Sequence, residues 1–294
     1  MTVLVTGAPG NVGTPLVAEL AAAGAPVRVA AVDPDRAEAS FRDTGGGLEV
    51  VRFDFTDPGT WSTAFAGVER MFLLRPPQLS RVRRDLLPAL DAAAACGVGH
   101  VVFLSIQGAD RNRLVPHRAV EDYLRASPMA WTFVRAAYFM ENLSTTHAPE
   151  IRQRGEIWVP AGGGRTAFVA ARDVAAVAAR TLLEAGHEGA AYTPTGPAAL
   201  TYRQCAEVLT EVLGRPVRYR DPGPLAYWRR MRARGMPAGM VAVTLGIYTM
   251  ARLGLAAGLT DDVRALTGRA PLDFRSFACD HAAAWRPAAA SSAV

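Results

Sequence analysis

Thr2-Val3-Leu4-Val5-Thr6-Gly7-Ala8-Pro9-Gly10-Asn11-Val12-Gly13 reads as a short strand that runs into a glycine-rich turn and then a helix. Val3, Leu4 and Val5 form the unbroken apolar run of a strand buried on both faces of a parallel sheet. Gly7 allows a turn that a Cβ would obstruct, Gly10 lets the backbone approach a ligand, and Gly13 permits close packing of helix on strand. Val12, Leu16, Val17 and Leu20 then recur at helical spacing, so the amides of the first helical turn face whatever lies above the strand. Free amides and the helix dipole favour an anion there, above all a phosphate. A glycine triplet alone is a weak signal. Set between a strand and a helix, it predicts dinucleotide binding, with Gly7, Pro9, Gly10, Asn11, Val12 and Gly13 around the pyrophosphate.

Outward from this turn, strand-like runs at 27–32, 48–52, 70–74, 99–104 and 131–135 alternate with helix-like runs. Residues 81–96 and 117–127 read as helices, as do 172–180 and 201–213, the last with Gly214 as its C-terminal cap and Pro216 beyond. Gly162, Gly163 and Gly164 mark a loop, and from Pro222 the pattern is mainly helical. The expected fold is α/β, a Rossmann-type doubly wound parallel sheet with a smaller, mostly helical C-terminal substrate lobe. Residues 1–150 would form the dinucleotide-binding core. Residues 151–294 would return to that core and build the lobe, with 225–259 as a lid or pocket-lining segment, all in one continuous structural unit.

Composition narrows the chemistry. Half of the 294 residues are hydrophobic, enough for a sizeable core, and only the tail 287–294 is low in complexity. The first strand begins at once without a basic leader, so no signal peptide is expected. The apolar window 236–259 carries Arg252 with several glycines and a proline, which fits core or pocket helices rather than a membrane span. Cys96, Cys205 and Cys279 are far apart and the five histidines do not cluster, so the expectation is reduced thiols in a cytoplasmic protein with no metal centre. All 32 basic residues are arginine. The missing lysine excludes a Schiff base, a phosphate-loop lysine and the Tyr-x-x-x-Lys pair of most short-chain dehydrogenases. The net charge of +5 gathers partly at Arg81, Arg83 and Arg84 and at Arg229, Arg230, Arg232 and Arg234. Apart from Trp228 neither cluster is interleaved with stacking aromatics, so solvated helix faces are expected rather than a nucleic-acid or membrane surface.

Ligands of such sheets lie outside the carboxyl ends of the strands. Asp33 follows the second strand, twenty residues past Gly13, the offset of an acid that contacts ribose hydroxyls. It would repel a 2′-phosphate, which favours NAD, while the nearby Arg36 keeps NADP open. Asp54 and Phe55 would flank the adenine, and Arg75-Pro76 and Ser105-Ile106 would run along the nicotinamide half. For each of these alone, a capping acid or a turn proline is the plainer reading.

Residues 5–13, Leu104-Ser-Ile-Gln-Gly-Ala109, residues 117–127, Thr132-Phe-Val-Arg135 and Phe139-Met-Glu-Asn-Leu143 together resemble the NmrA-like family of atypical short-chain dehydrogenase/reductases. The likeness continues through Arg172-Asp-Val-Ala, Thr195-Gly-Pro197, Leu213-Gly-Arg-Pro216 and residues 260–269. It implies an NAD(P)-binding Rossmann domain, a smaller substrate lobe, and either a reductase or a cofactor sensor that regulates transcription. The chain departs from the family pattern at Val32, where NADPH users often carry Arg, at Arg118, where many relatives have Lys, and at Ala170, where Asp is common.

Candidates for chemistry are few. His117 and Arg118 open a helix that should face the cleft, where His could donate a proton and Arg could stabilise an oxyanion. His117 reads equally as a helix-start residue. The resemblance places Tyr138 and Asn142 at nicotinamide and substrate contacts, with core filling as the plainer role for Tyr138. Tyr227, Trp228, Met231, Met236, Met240, Tyr248 and Met250 give the C-terminal segment adaptable surface, mostly core, with some suited to a planar aromatic ligand. The favoured expectation is an NAD(P)-dependent reductase of a quinone or planar aromatic carbonyl, as in tailoring of aromatic natural products such as polyketides, acting as a homodimer or beside a pathway partner enzyme. A non-catalytic redox sensor with a protein partner is the alternative. Quinone reduction that primes an oxygenation step is a weaker third.

Overall fold

In the computed structural model, which describes residues 1–42, 44, 47–79, 81–113 and 115–286, the opening run forms β1 (Thr2–Thr6) and the helix after the glycine turn forms α1 (Gly13–Ala22). Val3, Leu4 and Val5 have no exposed surface, and α1 buries Gly13, Leu16, Val17 and Leu20 along one face. β2 (Val27–Ala31) leads into α2 (Pro34–Phe41), whose N-cap Asp33 and first-turn proline set the helix start. β3 (Leu48–Arg52), β4 (Val68–Leu74), β5 (His100–Ile106) and β6 (Ala130–Ala136) follow. A seventh strand, Ala190–Tyr192, joins beyond β6. The order across the sheet is Ala190–Tyr192, β6, β5, β4, β1, β2, β3, and every pairing is parallel. This is the doubly wound Rossmann-type α/β fold expected.

Two details differ from the sequence reading. The helix expected over 81–96 is two helices, Val82–Asp85 and Leu87–Ala95, because Pro88 has no N–H to continue the ladder and Leu86 leaves the helical region. The seventh strand has only three residues and no alternation, so nothing in the pattern marks it. The tail 287–294 lies outside the described residues.

The chain divides into two compact units. The first comprises Met1–Ala136, Ala171–Pro194 and Asp261–Arg269, so the seven-stranded sheet and the helix Ala171–Leu183 belong to it. One face of that sheet packs around Phe65, Met71, Leu73, Leu90, Phe103 and Phe133. The second comprises Ala137–Ala170, Thr195–Thr260 and the chain from Ala270 onward. It holds a three-stranded sheet, a two-stranded parallel sheet and the helices Tyr202–Leu213, Pro224–Ala233 and Ala238–Arg252. Thr201 and Gln204 form a reciprocal cap at the start of Tyr202–Leu213, and Gly214 ends it in the left-handed region. The core of this unit gathers Phe168, Tyr202, Phe274, Phe277 and Trp285, and the Trp285 indole donates to Leu143 O at 2.7 Å.

Candidate functional site

The turn after β1 closes on itself too tightly for side chains. Gly7 has φ +75°, and a Cβ there would stand 2.8 Å from Leu74 Cδ1. A Cβ at Gly10 would lie 2.6 Å from Gly7 O; one at Gly13 would meet the same oxygen at 2.6 Å and Ala8 Cα at 2.9 Å. Gly10 is therefore required by the turn itself, before any ligand is considered. Thr14 N donates to Gly10 O at 2.9 Å and fixes the entry into α1. α1 begins without a side-chain cap and with no acid in its first turn, so its leading amides are left for an outside acceptor.

Beside this turn the first unit has a cleft of about 500 Å³ at the carboxyl ends of the strands. Thr6, Gly7, Ala8 and Pro9 form one end, Asp33 and Arg36 a polar edge, Phe53 and Phe55 an aromatic wall, and Pro76 and Leu79 a further side. Phe55 is nearly buried and stands edge-on to Phe53 at 4.8 Å. Close backbone, open amides, a charged edge and an apolar wall suit the phosphate, ribose and adenine of a dinucleotide in turn. Gly10, Asn11 and Val12 complete the turn, with Val12 buried beneath it.

The expected contacts divide by what their side chains already do. Asp33 accepts the Arg36 amide at 3.1 Å as the cap of α2, so one carboxylate oxygen is engaged locally. The Arg36 side chain is exposed in the same cleft. Asp54 Oδ1 holds the Thr56 amide and hydroxyl, each at 2.7 Å. Arg75 Nη1 donates to the carbonyls of Pro76 at 2.9 Å and Leu79 at 3.1 Å, bracing the loop that walls the cleft. Ser105 points inward: its hydroxyl is buried and donates to Glu121 Oε1 at 2.7 Å, while Ile106 next to it is exposed.

His117 and Arg118 open the helix Pro116–Ala126. The His117 ring stacks on Phe103 at 6.0 Å. Burial, then the Arg75 charge, lowers its pKa to about 4, so the imidazole is neutral near pH 7. His117 Nδ1 and Arg75 Nε are buried and have no protein hydrogen-bond partner. Arg118 is spoken for, donating to Asp122 Oδ1 and to Asp110 O, each at 2.7 Å. Sequence reasoning missed Glu121. It is fully buried, pairs with Arg135 at 2.8 Å and Arg125 at 3.0 Å, and accepts Ser105 Oγ. These partners hold its carboxyl below the usual range, against the opposing effect of burial. The signal was present in the sequence: Glu121 stands one turn from His117 on the face of Val120 and Leu124, where an acid needs a buried cation.

Tyr138 and Asn142 belong to the second unit. The Tyr138 ring meets Phe168 edge-on at 5.7 Å and Tyr202 at 6.5 Å, and its hydroxyl lies 3.4 Å from that of Tyr248. Tyr248 OH in turn bonds His147 Nε2 at 2.9 Å. Burial pushes the Tyr138 and Tyr248 phenols up and lowers the His147 imidazole to about 4. Of the aromatic and thioether residues in the C-terminal segment, Tyr227, Met231 and Tyr248 are buried core, whereas Met240 and Met250 are exposed.

A profile of the NmrA-like family matches residues 1–253. The chain belongs to the NmrA-like family. Among members with named activities, an NAD(P)H azoreductase of Xenophilus azovorans is 34% identical over 96% of this chain and 99% of its own length. The (4-alkanoyl-5-oxo-2,5-dihydrofuran-3-yl)methyl phosphate reductase of Streptomyces griseus is 37% identical over 97% of this chain and 99% of its own. The crystal structure of the NADPH-dependent quinone oxidoreductase of Escherichia coli, complexed with NADPH, superposes with a TM-score of 0.84 at 26% identity, covering 95% of this chain and 99% of that one. The NmrA-like framework is thus present along the whole described chain.

Proposed function

We propose that this NmrA-like, NAD(P)-dependent oxidoreductase reduces quinones and other planar conjugated acceptors. One observation carries the reading: the chain offers no strong proton donor. It contains no lysine, His117 and His147 are neutral with pKa values near 4, and burial makes the Tyr138 phenol a weaker acid than usual. A saturated ketone reduced by hydride becomes an alkoxide, which needs a proton in the transition state. A quinone becomes a hydroquinone anion, stabilised by its own ring, which takes its proton from water. The second kind of acceptor suits this set of side chains. The substrates named for the azoreductase, the furanone phosphate reductase and the quinone oxidoreductase are conjugated as well.

When bound, the reduced nicotinamide supplies the hydride. The chain supplies the rest. The glycine turn and the open amides of α1 hold the pyrophosphate, Phe53 and Phe55 wall the adenine side, and Arg75 keeps the loop 76–79 in place. Because Asp33 is engaged as a cap while Arg36 reaches the same cleft, the protein accepts NADPH as well as NADH. His117, neutral and stacked on Phe103, acts as a hydrogen-bonding group rather than an acid. A polycyclic aromatic quinone from a natural-product pathway is the first acceptor to try.

The test is anaerobic oxidation of NADPH and NADH against quinones, an azo dye and saturated ketones. Turnover on quinones at least about 100-fold above that on ketones, the range one general acid contributes, is expected. Equal rates on ketones would overturn the reading, and tight dinucleotide binding with no turnover at all would replace it with a redox sensor.

A further inference from the structure

The helix Ala238–Arg252 is apolar on the side it buries and also on the side it does not. Val241, Tyr248 and Ala251 face the core of the second unit. Met240, Val243, Ile247 and Met250, at successive intervals of three, four and three residues, form an adjacent exposed stripe, with Val243 58% exposed. Leu253, Leu255 and Leu259 extend the exposed apolar surface past the helix end, with Leu253 65% exposed. No charged residue occurs in the helix before Arg252. A helix apolar all round is normally covered, and a contiguous apolar patch of this kind marks an interaction surface.

Charge identifies what covers it. From Pro222 to Thr260 the chain has no acidic residue and five arginines, an excess equal to the formal charge of the whole protein. Four of them, Arg229, Arg230, Arg232 and Arg234, lie on or just after the neighbouring helix Pro224–Ala233. Glu150 engages Arg230 and Arg234, and Asp221 engages Arg252. Arg229 and Arg232 are exposed and pair with no carboxylate among the described residues. A second copy of the chain docked face to face would bring these guanidiniums together without a counter-charge. An anionic surface accepts both the cations and the apolar stripe.

We propose that the helical pair 224–252 is a peripheral docking surface for anionic lipid bilayers, with Met240, Val243, Ile247 and Met250 entering the acyl boundary and Arg229 and Arg232 meeting phosphate headgroups. No helix is long and apolar enough to cross a membrane, so the association is interfacial. The expectation that the protein meets no membrane is revised by this surface. Such docking would also bring a lipophilic acceptor within reach, although the surface stands whatever the acceptor is.

The test is co-sedimentation of the full-length protein with phosphatidylcholine vesicles with and without phosphatidylglycerol. Wild type should bind the anionic vesicles about tenfold more strongly, as expected for a few arginines near a charged surface, and high salt should release it. Ile247→Asp/Met250→Asp should abolish binding to both. Arg229→Glu/Arg232→Glu should remove the preference for phosphatidylglycerol, and the substituted side chains are all exposed, so the thermal unfolding midpoint should hold. Failure of wild type to bind anionic vesicles at low salt, or unchanged binding by Ile247→Asp/Met250→Asp, would overturn the proposal. A wild-type dimer that this double variant splits, without vesicle binding, would assign the stripe to a second copy instead.

Discussion

The two units of this chain are held together by different means. In the first, a parallel sheet carries its polar groups to the strand ends, and the most deeply buried charge, Glu121, is wired to Arg135, Arg125 and Ser105. Ser105 and Arg135 are register partners on β5 and β6, so adjacent strands deliver both groups to the same carboxylate. The second unit is assembled from three separated segments around aromatic rings: Tyr138, Tyr202, Tyr227 and Tyr248 meet edge-on, and Phe168 packs on Tyr202 and Phe274. Specific polar pairs make the first unit sensitive to single atoms. Shared apolar area makes the second more tolerant of them.

Substitutions can break or sharpen that contrast. The largest effect is expected at Glu121→Ala, which leaves the Arg135 guanidinium buried beside no carboxylate. Breaking such a pair costs about 3–5 kcal/mol, read as a lower midpoint in chemical unfolding. Gly10→Val comes next, because its Cβ would meet Gly7 O. Overpacking of about 1–3 kcal/mol is up to about 100-fold in NAD(P)H affinity, measurable by nicotinamide fluorescence, with the second unit's hydrogen-exchange protection unchanged. Arg36→Ala should weaken NADPH about tenfold while leaving NADH within about twofold, since one charge-assisted contact to a phosphate is worth about 1.5–3 kcal/mol at most. Tyr248→Phe should cost only about 1 kcal/mol, because the ring packing survives and one hydroxyl bond to His147 is lost.

Acid should stress both units. His100 and His117 in the first and His147 in the second have folded pKa values near 4, against 6.5 for the free side chain. The unfolded chain therefore takes up protons first, so stability falls as pH drops from about 6.5 toward 4. The depressed pKa of Glu121 adds to this, since its contribution is present above the unfolded carboxylate pKa and lost as pH falls through the folded one. The unfolding midpoint should be flat from about pH 7 to 8 and decline below about 6.5, and His100→Asn should shallow that decline.

The first unit was the more legible in sequence because its signals are local. Strand, glycines and helix at 2–22 are contiguous, and the cleft falls at the strand ends where Asp33, Arg36, Phe55 and Pro76 were expected. Side-chain commitments were not legible there: Asp33 caps α2, and Ser105 turns inward to an acid sixteen residues away. In the second unit periodicity marked the helices, but partners come from distant segments. Nothing local tells that Tyr248 joins Tyr138 and His147 in the interior while Met250, two residues on, faces solvent. The pocket-lining surface expected over 225–259 thus separates into a buried aromatic core and an exposed apolar stripe.

The most direct measurement is an anaerobic single turnover in which stoichiometric protein and NADPH are mixed with a quinone, following nicotinamide absorbance and hydroquinone together. The account predicts equal loss of one and gain of the other, at a rate independent of pH between about 6 and 8, because no group assigned here titrates in that window. A hydride transfer that rises with acidity through that range would require a proton donor this chain was argued to lack, and bound NADPH that never oxidises would contradict the reductase altogether.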